Sequence, residues 1–305
     1  MANANDAENG RDLSKDVAAT EEEGTSGREW STVVIEPSSG LAGLRLGTLW
    51  AYRELLYFLI WRDIKVRYKQ TLLGILWIVL QPVVSVAIFS VVFGTLLKVP
   101  TGEVPYPIFV FSGLLPWTYF STTVTRSSGS VVGSAHLITK VYFPRLVIPL
   151  SSVLSSLLDF AIAFGVLLVM MVIYQVKPTA NIVLLPVFVL LAMMAALACG
   201  LWLSALNVRF RDVTYVTPFL IQMGFYLTPI IYPSTLIPEP FRYLLGLNPM
   251  TGVAAGFRWA LLGGYLADVE PPGALFPISI AITVVVLVSG VVFFRTTERS
   301  FADVI

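Results

Sequence analysis

The nine residues 61–69, WRDIKVRYK, hold five charged side chains (Arg62, Asp63, Lys65, Arg67, Lys69) and two aromatic ones, Trp61 and Tyr68. These residue types serve recognition. Guanidinium and ammonium groups hold carboxylates or phosphates, and aromatic rings add apolar contact beside them. Catalytic constellations are missing. The chain has one histidine, His136, so neither an HExxH zinc site nor a Ser-His-Asp triad can be assembled. There is no GxxxxGK[ST] phosphate loop, which excludes that way of binding and hydrolysing ATP. No metal-ligand spacing occurs, and His136 reads as a solvated loop residue. Asp159 is different, because it alone interrupts the charge-free stretch 146–176. An ionisable residue in hydrocarbon faces protein or water. A water-lined path, a basic loop partner, and a helix-terminal carboxylate held by Ser155 or Ser156 are all open readings of it.

The elements that carry these residues follow from composition. Of 305 residues, 56% are hydrophobic and 13% charged, half the charge content of an ordinary soluble domain. The net charge of +1 and the lack of a basic tract give no support for nucleic-acid binding. Cys199 stands alone, so no disulfide framework exists, and its apolar setting implies a buried, inert thiol. Charge-free stretches of membrane-spanning length recur at 72–97, 104–125, 146–176, 178–208, 213–238 and 271–294. Their connections set an orientation. With the N-terminus inside, twelve Lys and Arg flank the cytoplasmic ends, Arg126 among them, against four outside (Lys98, Lys177, Arg242, Arg258). Both termini are therefore expected in the cytosol. The acidic residues 1–30 have no apolar core and read as a flexible cytoplasmic tail rather than a secretory signal. A cytoplasmic segment over 31–71 and a transmembrane domain over 72–305 complete the division. Residues 233–264 are too interrupted to cross, and two short helices, about 239–246 and 249–263, are expected at the outer face or dipping into it. Gly129/Gly133 and Gly252/Gly256 match GxxxG spacing, which permits close helix approach.

The expected fold is all-α and integral to the membrane. It has six transmembrane helices, an N-terminal amphipathic interface helix, and short re-entrant or interfacial gate helices between spans five and six. Plotted as a helix, 53–69 places Tyr57, Trp61, Ile64 and Tyr68 on one stripe, with Arg62, Lys65 and Lys69 opposite. Leu55, Phe58, Leu59 and Val66 share the charged side. A helix resting on headgroups would keep that side polar, so the pattern favours a helix held between the bilayer and protein. Basic side chains reaching anionic lipid is the simpler reading. The loop 134–149, SAHLITKVYFPRLVIP, sets Leu137, Val141, Tyr142 and Phe143 beside Lys140 and Arg145, which again suits a binding surface.

At these residues the chain resembles a known family. YRELLYFLIWRDIKVRYKQTLLGILWIVLQP, GLLPWTYF, LITKVYFPRLVIP, LWLSALNVRFRDV, TPIIYP and LNPMTGVAAGFRWALLG occur in the order seen in ABC-2 type permeases of the polysaccharide (O-antigen, capsule, teichoic acid) exporter family. The resemblance covers roughly residues 30–265. It implies a homodimeric permease of the bacterial inner membrane that pairs with two copies of a soluble ABC ATPase. ATP and Mg would belong to that partner, with no cofactor in this chain. The helix at about 49–69 would dock the ATPase through Trp61, Arg62, Asp63, Lys65, Arg67 and Tyr68. The loop 137–145 would add Lys140, Tyr142, Phe143 and Arg145. The short helices after span five would form an outer gate with Arg242, Tyr243, Asn248, Arg258 and Trp259. The cargo implied is a glycan on polyprenyl diphosphate, moved outward. Sugar C–H groups pack on ring faces, so Phe89, Phe93, Trp117, Tyr119, Phe120, Phe225 and Tyr226 are candidates for lining its path. An ABC-2 exporter of a lipid or small molecule, and a membrane-embedded assembly protein of glycan synthesis, are the alternatives.

Overall fold

Prolines and polar breaks divide the apolar stretches into helices of unequal length. The computed structural model describes residues 50–69, 74–238, 241, 244–263, 265, 273 and 275–301. The tail expected over 1–30 lies outside them. Among the described residues the order runs from α1 (Arg53–Tyr68) to α2 (Gly74–Phe89), which continues as a π-helical segment, Ser90–Leu96. Then come α3 (Tyr106–Gly133), α4 (Ala135–Lys140) and α5 (Val147–Ile173). A 3-10 segment, Ala180–Leu184, leads into α6 (Leu185–Arg209). The order closes with α7 (Val213–Leu227), α8 (Pro249–Leu262) and α9 (Leu275–Thr297). Among the described residues there is no strand.

Four segments, Leu76–Leu96, Val147–Ile173, Ala180–Arg209 and Phe276–Thr297, are long and apolar enough to cross a membrane. The chain is a multi-pass membrane protein. Two expected spans take other forms. α3 has 28 residues, about 42 Å at 1.5 Å per residue, but is rich in Ser and Thr and carries Arg126. α7 has 15 residues and reaches about 22 Å, short of a ~30 Å hydrocarbon core. The expected stretch 213–238 breaks at Thr228, where Pro229 and Pro233 remove the amide donors a continuing helix needs. Arg126 also moves: α3 continues to Gly133, so this residue sits within a helix and not in the following loop.

α3 is the hub. It packs chiefly on α5 and α6, and also on α2, α7 and α8, while α6 packs on α9 and α1 on α5. Ile108, Phe109, Val110 and Phe111 in its first half are almost wholly enclosed. Small residues allow the close approaches. A Cβ at Gly200 of α6 would run into Ser127 of α3. In α8, a Cβ at Gly252 would strike Ser279 of α9, and one at Gly256 would enter the ring of Phe188. That GxxxG pair is used within the chain, whereas Gly129 and Gly133 face open space.

A second apolar cluster fixes the interface helix. Leu59 of α1, Ile138 of α4, Phe143, Ile148 of α5, Leu201 of α6, and Phe294 and Phe301 pack together. Leu59 is 1% exposed. Burying one leucine is worth about 1.5–3 kcal/mol, so α1 is anchored in protein on its Leu59 side rather than lying freely on a membrane surface.

Candidate functional site

Three arrangements bring the chemistry-bearing residues together. The first joins α1 to the bundle. Asp159, on α5, takes Arg67 Nη1 at 2.6 Å and Arg126 Nη1 at 2.8 Å on its Oδ2. Its Oδ1 accepts a short hydrogen bond from the Tyr68 hydroxyl. Arg126 Nη1 also donates to Ser156 Oγ at 3.2 Å, and Arg67 Nη2 approaches Ser155 Oγ at 3.5 Å. One carboxylate thus collects donors from α1 and α3, its charge opposed by two guanidiniums. Charge-assisted bonds of this kind are about twice as strong as neutral ones. Burial pushes the Tyr68 hydroxyl up to about 12, and the Asp159 carboxylate it faces adds to that rise. Tyr68 therefore remains a proton donor across the physiological range. Of the readings open for Asp159, the basic-partner one describes this geometry, with Arg126 as an addition that the span boundary at 125 had hidden.

The same geometry divides the expected docking residues into two sets. Trp61 is 48% exposed, with the Lys65 ammonium 5.3 Å from its ring centre. Lys140 is exposed, and Tyr142 is 74% exposed. Arg62 pairs with its neighbour Asp63 at 2.8 Å, and Ser151 Oγ lies 3.5 Å from Asp63 Oδ2. The others turn inward. Arg67 and Tyr68 reach Asp159. Phe143, expected on the surface, is buried in the second cluster because the Pro144 turn folds it back under α5. Arg145 lies with its guanidinium 5.8 Å from the ring centre of Phe301.

The second arrangement is aromatic. Phe89 stacks on Phe225 at 5.9 Å and tilts against Phe93 at 6.1 Å. Trp117 meets Phe225 at 5.9 Å and Phe120 at 5.4 Å, and Phe225 meets Tyr226 at 5.7 Å. Six of the seven candidate path aromatics thus form one connected group where α2, α3 and α7 meet. Trp117 and Phe120 are buried, while Tyr226 is exposed. Gly224 makes this possible, since a Cβ there would lie 2.9 Å from the Trp117 ring. Tyr119 belongs elsewhere. It packs edge-on against Phe160 at 5.7 Å and donates to the Val153 carbonyl at 3.0 Å.

The third arrangement holds the end of α7. Residues 228–232 are irregular and largely buried, so their polar groups need partners. Asn248 caps α8 through its Oδ1, which accepts from the Met250 amide at 3.0 Å, and it donates to Thr228 Oγ1 at 2.7 Å. Arg258 donates to the Pro229 and Ile230 carbonyls at 3.3 and 2.9 Å. Its guanidinium lies 3.8 Å from the centre of the Phe109 ring. The Tyr106 hydroxyl donates to the Ile231 carbonyl at 2.7 Å. Four successive residues are held in turn. Of the expected gate residues, Asn248 and Arg258 carry this clamp and Trp259 is half-buried beside it. Arg242 and Tyr243 lie outside the described residues. Sequence reasoning missed Tyr106, whose only signal is its place beside Pro105 and Pro107 at the start of α3.

Comparison with known proteins gives these arrangements their setting. The chain is 35% identical over 258 residues to the O-antigen export system permease protein RfbA of Myxococcus xanthus, covering 84% of this chain and 96% of that one. An RfbA of Klebsiella pneumoniae is 32% identical over 254 residues, covering 83% and 95%. The polysialic acid transport protein KpsM of Escherichia coli is 26% identical over 244 residues, covering 78% and 92%. The family model described as ABC-2 type transporter matches residues 54–262, a span that runs from α1 to the end of α8 and takes in all three arrangements. This chain belongs to the ABC-2 type transporter family.

Proposed function

We propose that this chain is the membrane-spanning permease subunit of an ATP-driven exporter that moves a lipid-linked polysaccharide outward across the bacterial inner membrane. The observation that carries the reading is the near full-length similarity to permeases named for O-antigen and polysialic acid export. Six spans are proposed: the four long apolar helices, α3, and α7, the last completed by the clamped segment after it. Both termini lie in the cytosol. Moving Arg126 into a helix leaves the bias of basic residues toward the inner connections intact. α8 and the residues before it form the outer gate.

Two copies of the chain pair, and two copies of a soluble ABC ATPase dock beneath them. The exposed Trp61, Lys65, Lys140 and Tyr142 make that contact, while Arg67 and Tyr68 pass movement of α1 to α5 and α3 through Asp159. ATP and Mg bind in the partner. The connected aromatic group lines part of the glycan path.

The test is genetic and biochemical. Deleting the chain should make lipid-linked glycan accumulate in the cytosol while surface glycan disappears. Purification of the tagged chain should bring an ATPase with it. Normal surface glycan in the deletion strain would sink the exporter reading, and ATP hydrolysis by the isolated chain would sink the division of roles.

A further inference from the structure

A cavity of about 240 Å³ lies between the end of α1 and helices α2, α3 and α5, beside the ion-pair group. It is far larger than a single water requires. Trp77, Tyr119 and Phe160 present rings to it, and Gln81 and Thr118 line it from facing helices. Neither the Gln81 amide nor the Thr118 hydroxyl has a hydrogen-bond partner among the described residues. Arg126 and Asp159 complete the polar side.

Each class of occupant is tested by that lining. A lipid tail would offer no hydrogen bond to the half-buried Thr118 hydroxyl, at a cost of about 1–3 kcal/mol, nor to the Gln81 amide on the exposed side of the cavity. A phosphate needs donors only, and here it would meet the Asp159 carboxylate beside the guanidiniums. A neutral polyol fits both signs. Its hydroxyls donate to a carboxylate or amide oxygen and accept from a guanidinium or amide nitrogen. A sugar ring also has an apolar C–H face that packs on aromatic rings.

The geometry points to a subsite for one uncharged sugar residue of the exported glycan. The ring lies against Trp77, Tyr119 or Phe160, and its hydroxyls are held by Gln81, Thr118, Arg126 and Asp159. The inference rests on the reading that the cargo is a glycan. It adds that this chain contacts individual sugars at a defined place. Because the site touches the carboxylate that links α1 to α5, an occupied subsite bears on the same group that docking would move.

The experiment measures protection of a cysteine by the cell's own cargo. Thr118→Cys is placed in a Cys199→Ala background, and its reaction rate with a small water-soluble thiol reagent is followed in intact membranes. One strain makes the complete lipid-linked glycan. A second makes the polyprenyl phosphate carrier without sugar. With cargo at twice its dissociation constant, occupancy slows the reaction about threefold by simple mass action. That slowing is expected in the first strain only, with no change in either at Glu103→Cys, an exposed position in the connection before α3. Adding Gln81→Leu should restore the fast rate. Equal rates in the two strains, while glycan still reaches the surface, would overturn the sugar subsite. Equal slowing by the bare carrier would overturn it too, in favour of a phosphate or lipid site. Failure of the exporter reading shows separately, as surface glycan that does not depend on this chain. Should Thr118→Cys abolish export, Gln81→Cys across the cavity is read in the same way.

Discussion

Asp159 shows how much one half-buried charge constrains its neighbours. Ion pairs at partly enclosed positions cost desolvation energy, and breaking one leaves its partners uncompensated. Arg67→Gln and Asp159→Asn should therefore be non-additive, with a coupling energy of about 1–2 kcal/mol in a double-mutant cycle read by thermal unfolding in detergent. Additivity would mean that the ion pair does not couple α1 to α5. The Tyr68 bond adds a pH dependence. Its pKa of about 12 in the fold lies above the unfolded value near 10, so its contribution is whole below pH 10 and falls as pH rises toward 12. The stability difference between wild type and Tyr68→Phe should stay constant from pH 7 to about pH 10 and shrink beyond it. At this scale the sequence was half legible. Asp159 stood out because nothing else in its stretch is charged. Arg126 did not, because a rule that ends spans at the first charge assigns such a residue to a loop, although a serine- and threonine-rich helix runs past it.

At the scale of elements, α1 has an exposed side and a side packed inward, and they should respond differently to substitution. Trp61→Ala with Tyr142→Ala removes exposed contacts and should weaken co-purification of the ATPase about tenfold or more, while the permease inserts normally. Arg67→Gln should leave co-purification unchanged and lower export. If both variants lose the partner equally, the division into outer and inner sides is wrong. The clamp on 228–231 makes a parallel case. Arg258→Met should insert and bind the ATPase but lose most export, because the carbonyls of Pro229 and Ile230 lose their donors at a cost of about 2–3 kcal/mol. Full export by this variant would remove the clamp from the mechanism. The two-sided pattern of α1 was readable from helical spacing. The inward turn of Phe143 was not, since a short apolar loop beside Pro144 looks the same whether it faces a partner or its own core.

For the whole molecule, composition settled what prolines then modified. A chain with so few charges and so many long apolar stretches had to be helical in a membrane, because only helices satisfy the backbone there without closing a barrel. Which stretches run unbroken was less legible, since a local hydropathy window does not register that Pro229 and Pro233 end α7 early. The central place of α3, the helix richest in Ser and Thr, was not readable at all. Hydropathy ranks such a segment low, yet its Ser127 meets Gly200 of α6 where any side chain on α6 would collide. The assembly carries its own prediction. The purified complex should have the mass of two permeases and two ATPases by light scattering corrected for detergent, and a mass with one permease would overturn the pairing.

The shape of α2 has a mechanical consequence. Pro82 removes one of its internal hydrogen bonds, and the turns from Ser90 to Leu96 are wound as a π-helix, so this helix has two compliant joints along its length. α5 has no internal proline beyond its first turn and is bolted to α1 by Leu59 and Asp159. Where a soft member and a stiff one share a load, the stiff one carries most of it. A stroke delivered to α1 by a docked partner would travel sideways into α5 and α3 rather than onward along the chain into α2. Force applied to α1 would then follow the packing, not the sequence order.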